Sequence, residues 1–185
     1  MDTGNGTAGY GRVSIVLHWL MLVLLAAVYA CIEARELFEK GSLPRETLKS
    51  WHFMLGLLVF LLVWVRLVAR LTYRRPPITP APPRWQQVAS TAVHVSLYAF
   101  MIGMPLAGWL VLSAAGKPVP FFGLAWPALA GPDRMLASWT KELHETVGEA
   151  GYWLIGAHAL AALLHHYLRR DDTLRRMLPV RLRSR

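Results

Sequence analysis

The 185-residue sequence is poor in cysteine and in acidic residues. Cys31 is its single cysteine, which excludes an internal disulfide and any Cys-x-x-Cys-His motif for covalent cofactor attachment. Asp and Glu number 11 against 20 Lys and Arg, so the formal net charge is +9. Such an excess can indicate nucleic-acid binding, but a hydrophobic content of 55% and a mean hydropathy of +0.35 indicate a membrane protein instead. We therefore expect the arginines to anchor helix ends at anionic lipid headgroups and predict no nucleic-acid partner.

Hydrophobic residues are concentrated in four stretches, each near the length of about 20 residues that crosses the hydrocarbon core of a bilayer. The four predicted spans cover residues 13–32, 47–71, 88–113 and 145–168. Because the connections are short, the sequence predicts a single domain over residues 1–185. Its predicted fold class is an all-α membrane protein, an antiparallel four-transmembrane-helix bundle in the lipid bilayer with cofactors between its helices.

Two connections have an unusual composition. Residues 76–83 contain five prolines and predict an extended tether on the cytoplasmic surface. Residues 114–141 are rich in Pro, Gly, Phe and Trp and predict a loop that lies against the outer membrane interface. In the third span, Gly103, Pro105 and Gly108 predict a kink or a close approach by a neighbouring helix.

Basic residues are sorted between the two sides of the membrane. Thirteen of the 20 lie on the side that holds both termini and the connection between the second and third spans, together with three of the 11 acidic residues. The opposite side has the remaining seven basic and eight acidic residues. The positive-inside rule therefore predicts that both termini are cytoplasmic.

Histidine is costly within a membrane unless it is paired or coordinated, and depth sorts the histidines of this chain. His52 and His144 are each predicted about one turn inside the outer boundary, whereas His18 and His158 lie in the inner halves of their spans. Depth therefore predicts an outer pair, His52 with His144. For the inner site it predicts His158 with either His18 or His94, because both lie toward the cytoplasmic side.

The pattern of the histidines indicates haem ligation. His144 and His158 are fourteen residues apart, so they lie on nearly one helix face, roughly 21 Å apart along the axis. Two imidazoles from facing helices are the ligands expected of a six-coordinate electron-transfer haem. Interhelical hydrogen bonding alone is disfavoured by four histidines matched in depth on three helices. A structural zinc site is disfavoured because it needs four clustered ligands.

The remaining histidines have other predicted roles. His165 and His166 lie beside arginines at the end of the fourth span and are expected to be interfacial. Two roles are compatible with the position of His94: it is either a hydrogen-bond partner at the inner site or part of a quinone pocket. Haem propionates need cationic partners, and helix ends supply candidates on both sides. These candidates are Arg12, Arg66 and Arg70 inside, with Lys49, Arg134 and Lys141 outside.

Several short motifs resemble those of the bacterial cytochrome b561 family, whose members are small di-haem b membrane proteins. Their order and spacing cover almost the whole chain. They include Ser14-Ile15-Val16-Leu17-His18-Trp19-Leu20, Trp51-His52 with Gly56 and Arg66, His94 with Leu97-Tyr98, Gly108-Trp109, His144-Glu145-Thr146, Gly151-Tyr152, His165-His166-Tyr167 and Asp172-Thr173-Leu174-Arg175-Arg176-Met177.

The resemblance implies two haem b groups with His18, His52, His144 and His158 as axial ligands, and so favours His18 over His94 at the inner site. It also implies a multi-pass protein of the bacterial inner membrane that exchanges electrons with a quinone. The best-characterised relatives resemble a superoxide oxidase, an enzyme that passes electrons from superoxide at the outer face to ubiquinone. Other members resemble haem b subunits that relay electrons between a partner dehydrogenase or hydrogenase and the quinone pool. No catalytic residue is assigned by either alternative.

Overall fold

The computed structural model describes residues 11–72 and 78–178. Its main elements are four long helices: α1 (Arg12–Ala34), α2 (Leu43–Thr72), α3 (Arg84–Ala114) and α4 (Arg134–Tyr167). All four are long and apolar enough to cross a membrane. The predicted all-α fold class with four transmembrane helices is therefore confirmed. Part of the predicted tether, Pro76 and Pro77, lies outside the described residues.

Every helix begins before the apolar stretch that predicted it, α1 by one residue and the other three by four or more. α4 begins at Arg134, although its apolar stretch begins only at residue 145. The carboxylate of Asp133 accepts hydrogen bonds from the backbone N–H groups of Met135 and Leu136, and so caps the helix there. α2 likewise begins at Leu43. Hydropathy marks the part of a helix that lies in hydrocarbon, whereas capping sets where the helix starts. His144 therefore lies about three turns inside α4.

Helix packing sets α4 apart from the first two helices. The backbones of α1 and α2, of α2 and α3, and of α3 and α4 approach each other closely. Within residues 11–72 and 78–178, the backbone of α4 lies less close to α1 and α2 than to α3. The main apolar core lies among α1, α2 and α3 and includes Met21, Val63 and Met101. Of the 34 residues of α4, only Thr140 and Gly151 are buried. The space between α4 and the first two helices is bridged by side chains.

The outer connection between α3 and α4 contains a small β-hairpin that the sequence did not predict. Strands β1 (Val119–Phe121) and β2 (Leu124–Trp126) pair antiparallel. The Trp126 ring lies 5.0 Å from the rings of Trp109 and Phe121, and Trp109 Nε1 donates a 2.9 Å hydrogen bond to the Pro127 carbonyl. Three-residue strands are too short to leave a periodic pattern in a sequence.

The C-terminal segment folds back beneath the inner end of the bundle. Asp171 accepts a 2.6 Å hydrogen bond from His165 Nδ1, and Trp19 Nε1 donates one of 2.8 Å to the Met177 carbonyl. The backbone N–H of Thr79 donates to the Asp172 carboxylate at 3.0 Å. The segment after α4 is thus held to α1, to α4 and to the connection before α3.

Candidate functional site

Two histidine pairs connect α4 to the first two helices. His52 on α2 faces His144 on α4, with ring centroids 6.2 Å apart and ring planes at 80°. His18 on α1 faces His158 on α4, with ring centroids 6.2 Å apart and ring planes at 75°. The structure therefore brings together both histidine pairs that the sequence and its resemblance predict.

The spacing within each pair fits one metal ion between two imidazoles. A metal–imidazole bond is about 2 Å long and the bonded nitrogen lies about 1 Å from the ring centroid, so imidazoles on opposite sides of a metal have centroids roughly 6 Å apart. Both pairs have this separation. Each facing pair supplies two imidazoles, and among the described residues no group of three or more His, Cys, Asp or Glu side chains is placed to hold a metal ion by itself. Two axial imidazoles fit a haem, whose remaining ligands belong to the porphyrin.

Hydrogen bonding prepares the outer pair for a metal. His52 Nδ1 lies 3.0 Å from the Val28 carbonyl oxygen, and because a carbonyl only accepts, Nδ1 carries the proton. Nε2 of His52 therefore keeps a free lone pair. This tautomer, protonated at Nδ1 and supported by a carbonyl oxygen, is common among metal-bound histidines. On the other side, the His144 ring has the backbone of Met104 on α3 as a hydrogen-bonding neighbour. Backbone groups of neighbouring helices therefore orient both rings of the outer pair.

The outer pair lies in a large cavity. Its volume of about 1050 Å³ is at the upper end of cofactor pockets in proteins. The cavity lining includes both histidines together with Gly108 of α3 and Gly148 of α4. A Cβ atom at Gly108 would lie 3.2 Å from His144 Cε1, so the absence of a side chain at Gly108 gives the His144 ring its place. The cavity is therefore shaped around the ring of one proposed ligand.

Gly151 separates the outer and inner levels. A Cβ atom at Gly151 would collide with the hydroxyl group of Tyr29 and with the ring of Phe100, so side chains of α1 and α3 both pack directly against α4 there. Tyr29 also donates a 2.7 Å hydrogen bond to the Gly148 carbonyl. This contact is absent from the predictions made from the sequence. The sequence nonetheless contains a sign of it. Gly151 lies seven residues from both His144 and His158 and therefore on the same face of the helix as these histidines.

The inner level holds a third imidazole. The ring centroid of His94 on α3 lies 5.3 Å from that of His158. His18 Nδ1 lies 3.0 Å from Nη2 of Arg66, whose Nε donates to the Tyr98 hydroxyl at 3.3 Å. The structure thus keeps both partners that depth alone predicted for His158.

The predicted propionate partners differ in their position. Lys49 and Lys141 line the outer cavity, where they form ion pairs with Glu46 at 2.6 Å and with Glu145 at 3.1 Å. Arg66 contacts the inner pair, and Arg70 lies 5.4 Å from the Tyr98 ring centroid. The other two candidates stand at the first residues of helices, and neither lines the outer cavity: Arg12 begins α1 and Arg134 begins α4.

Comparison with known proteins identifies the family of this chain. The family model described as prokaryotic cytochrome b561 matches residues 9–180. The chain belongs to the prokaryotic cytochrome b561 family. Members of this family are membrane proteins that bind haem b and transfer electrons, so this chain is a bacterial membrane electron-transfer protein.

Individual relatives in the family match along almost their whole length. "Cytochrome b561 homolog 1" of Escherichia coli K12 is 37% identical over 172 residues, which cover 93% of this chain and 98% of that protein. "Probable superoxide oxidase CybB" of Yersinia pestis is 34% identical over 170 residues, or 92% and 96% of the two chains. "Cytochrome b561 homolog 2" of E. coli K12 is 26% identical over 181 residues, or 96% and 95%.

Proposed function

We propose that this cytochrome holds two haem b groups and transfers electrons from superoxide at the outer face to ubiquinone. His52 and His144 would hold the outer haem, and His18 and His158 would hold the inner haem. The observation that carries this proposal is the repetition of one geometry. Both pairs have ring centroids 6.2 Å apart, and each pair bridges α4 and one of the first two helices.

The two levels are suited to electron transfer across the membrane. His144 and His158 lie fourteen residues apart on the unbroken helix α4, which places the two levels roughly 21 Å apart along its axis. When bound, haem supplies one-electron redox chemistry. With a histidine on each side, each pair would hold a haem between two imidazoles and would leave no side of it open to a substrate.

Two observations support superoxide as the electron donor: the basic residues that line the outer cavity and the name of one relative. The Yersinia pestis relative is named a probable superoxide oxidase. Lys49, Lys117 and Lys141 line the cavity of this chain and attract an anion at short range. Acidic residues also line it, among them Glu46 and Glu145, so the attraction is local and not a property of the whole outer face.

The proposed reaction balances in electrons and protons. Two superoxide ions each give up one electron and become two molecules of dioxygen. One ubiquinone takes up these two electrons and two protons and becomes ubiquinol. We place quinone reduction toward the inner end of the bundle, so that electrons entering at the outer level pass both histidine pairs.

The proposed location is the bacterial inner membrane with both termini in the cytoplasm. The excess of basic residues at the inner ends of the helices supports this orientation. Fusion of a fluorescent protein that matures only in the cytoplasm to the C-terminus is expected to give fluorescent cells. A C-terminal alkaline phosphatase fusion is expected to be inactive, and the opposite result from the two reporters reverses the orientation.

The decisive experiment measures haem content and electron transfer on the same purified protein. Pyridine haemochrome analysis is expected to give two non-covalent b haems per chain. With superoxide supplied as the electron donor and ubiquinone as the acceptor, we expect one ubiquinol for every two superoxide ions consumed. A purified chain that binds only one haem, or none, would contradict the di-haem proposal.

The same experiment distinguishes the relay-subunit alternative. A chain that binds two haems, but reduces ubiquinone only when a dehydrogenase or hydrogenase polypeptide is added, is a relay subunit of that partner. A chain that reduces ubiquinone with superoxide alone is an oxidoreductase in its own right.

The matched control for both measurements is the variant His166→Asn. It replaces a histidine of α4 that belongs to neither pair, and it is expected to bind haem and transfer electrons as the native protein does.

A further inference from the structure

At the inner level, His158 has two imidazole neighbours on two different helices. His18 on α1 lies at a centroid distance of 6.2 Å, and His94 on α3 lies at 5.3 Å. We infer that His94 is a second axial ligand for the inner haem, able to take the position opposite His158 in place of His18. This inference rests on the proposed haem at the inner level.

The hydrogen bond of His94 favours metal binding. Its Nδ1 lies 2.6 Å from the backbone carbonyl oxygen of Ser90, one turn earlier in α3. Because a carbonyl oxygen only accepts, Nδ1 of His94 carries the proton and Nε2 keeps a free lone pair. The Nδ1–H to carbonyl bond is the usual support of a metal-bound histidine. His94 therefore has the same arrangement as His52 of the outer pair.

His18 has the opposite hydrogen bond. Its Nδ1 lies 3.0 Å from Nη2 of Arg66, and a guanidinium group only donates. Nδ1 of His18 is therefore the acceptor, which places the proton of the neutral ring on Nε2. Ligation through Nε2 requires Arg66 to move to another acceptor, such as a haem propionate. Ligation by His18 thus depends on the position of Arg66, whereas ligation by His94 does not.

The distances allow either ligand with a small adjustment. Imidazoles on opposite sides of one metal have centroids roughly 6 Å apart. The pair of His18 and His158 has this spacing, and the pair of His94 and His158 is shorter by less than one ångström. His94 is only partly buried, so its side chain is not packed on every side. The inner haem can therefore stay six-coordinate with either partner.

The test compares asparagine variants of the inner histidines. Asparagine cannot replace imidazole as a haem ligand, but its side-chain carbonyl at position 18 still accepts from Arg66. We expect His18→Asn to keep two haems per chain by pyridine haemochrome analysis, with an altered low-spin ferric signal in the electron paramagnetic resonance spectrum. The double variant His18→Asn/His94→Asn is expected to keep only the outer haem, as is His158→Asn. His166→Asn is the matched control and is expected to keep both haems.

The outer haem reports whether each variant is folded. If His18→Asn retains one haem, with the spectrum of the outer haem intact, His94 does not replace His18 and the inference is wrong. If the native protein itself binds fewer than two haems, the proposed function fails instead. If His18→Asn does not accumulate, His18→Gln, which is closer in length to histidine, is measured in the same way and decides the question.

Discussion

His52 Nδ1 on α2 donates a 3.0 Å hydrogen bond to the Val28 carbonyl oxygen on α1. This bond fixes the tautomer of the ring and holds Nε2 of His52 available for His144 and the cavity. A backbone carbonyl inside a helix normally accepts only from the N–H four residues later, and here it has a second donor. With Gly108 of α3 beside His144, the outer site is therefore built on all four helices, although only two of them supply the histidines.

We expect single alanine substitutions of the outer pair to remove one haem and leave the other. His52→Ala and His144→Ala each delete one of two axial ligands at the outer level, whereas the inner pair lies roughly 21 Å away. Pyridine haemochrome analysis should fall from two haems per chain to one. If both haems disappear to the same extent in each variant, the two levels are not independent sites.

The space beside His144 predicts the effect of a bulkier residue at position 108. In Gly108→Val, the added side chain meets the His144 ring, because a Cβ atom alone would lie 3.2 Å from Cε1. We expect the outer haem to be lost or weakly held and the inner haem to remain. Gly103→Val is the matched control on the same helix, since a Cβ atom at Gly103 meets nothing within 4 Å. Equal haem loss in both variants would mean that valine acts through α3 itself.

The tight contact at Gly151 predicts a loss of stability. In Gly151→Ala, the methyl group must displace Tyr29 and Phe100, and such overpacking costs about 1–3 kcal/mol. We expect thermal unfolding in detergent, followed by circular dichroism, to occur at a lower temperature than in the native protein. Gly156→Ala, on the same helix with nothing within 4 Å of its Cβ, is expected to have an unchanged or slightly higher Tm. Equal Tm values for the two variants would contradict the close approach.

The docking of the C-terminal segment should depend on pH through Asp171. Burial raises the pKa of this carboxyl group, but hydrogen bonds from His165 and Thr173 outweigh burial, so the net pKa lies below the ordinary value of 3.8. A carboxyl group with a lowered pKa stabilises the folded form above its ordinary pKa, and this stabilisation is lost as the pH falls through the lower, folded value. We expect the segment to stay docked at neutral pH and to loosen below a pH of about 4.

Hydrogen exchange measured by mass spectrometry and corrected for intrinsic pH dependence tests this docking. Peptides that cover residues 171–178 should exchange slowly at neutral pH and faster in acid, with the hairpin at residues 119–126 as an internal reference. In Asp171→Asn the same peptides should exchange fast already at neutral pH. Slow exchange in this variant at neutral pH would show that the carboxylate does not hold the segment.

The sequence by itself determined the class of the fold and the identity of the outer pair. Four apolar stretches of bilayer-crossing length require helices, because in hydrocarbon a single-span segment can satisfy its backbone hydrogen bonds only within itself. Depth in the membrane then follows from chain position, so His52 and His144 were matched before any contact was known. Hydropathy predicts the starts of α2, α3 and α4 too late, and for α4 the reason is that capping by Asp133 leaves no mark in hydropathy.

Only the tertiary structure decided what surrounds the histidines. Depth is a single coordinate, and helix rotation and lateral position need the packing of all four helices, so the sequence could not choose between His18 and His94. Nor could it find the Val28 carbonyl beside His52 or the Gly108 surface beneath His144, because these partners belong to other helices. The sequence thus determines the depth of each imidazole in the membrane, and the packing of the helices determines which groups contact it at that depth.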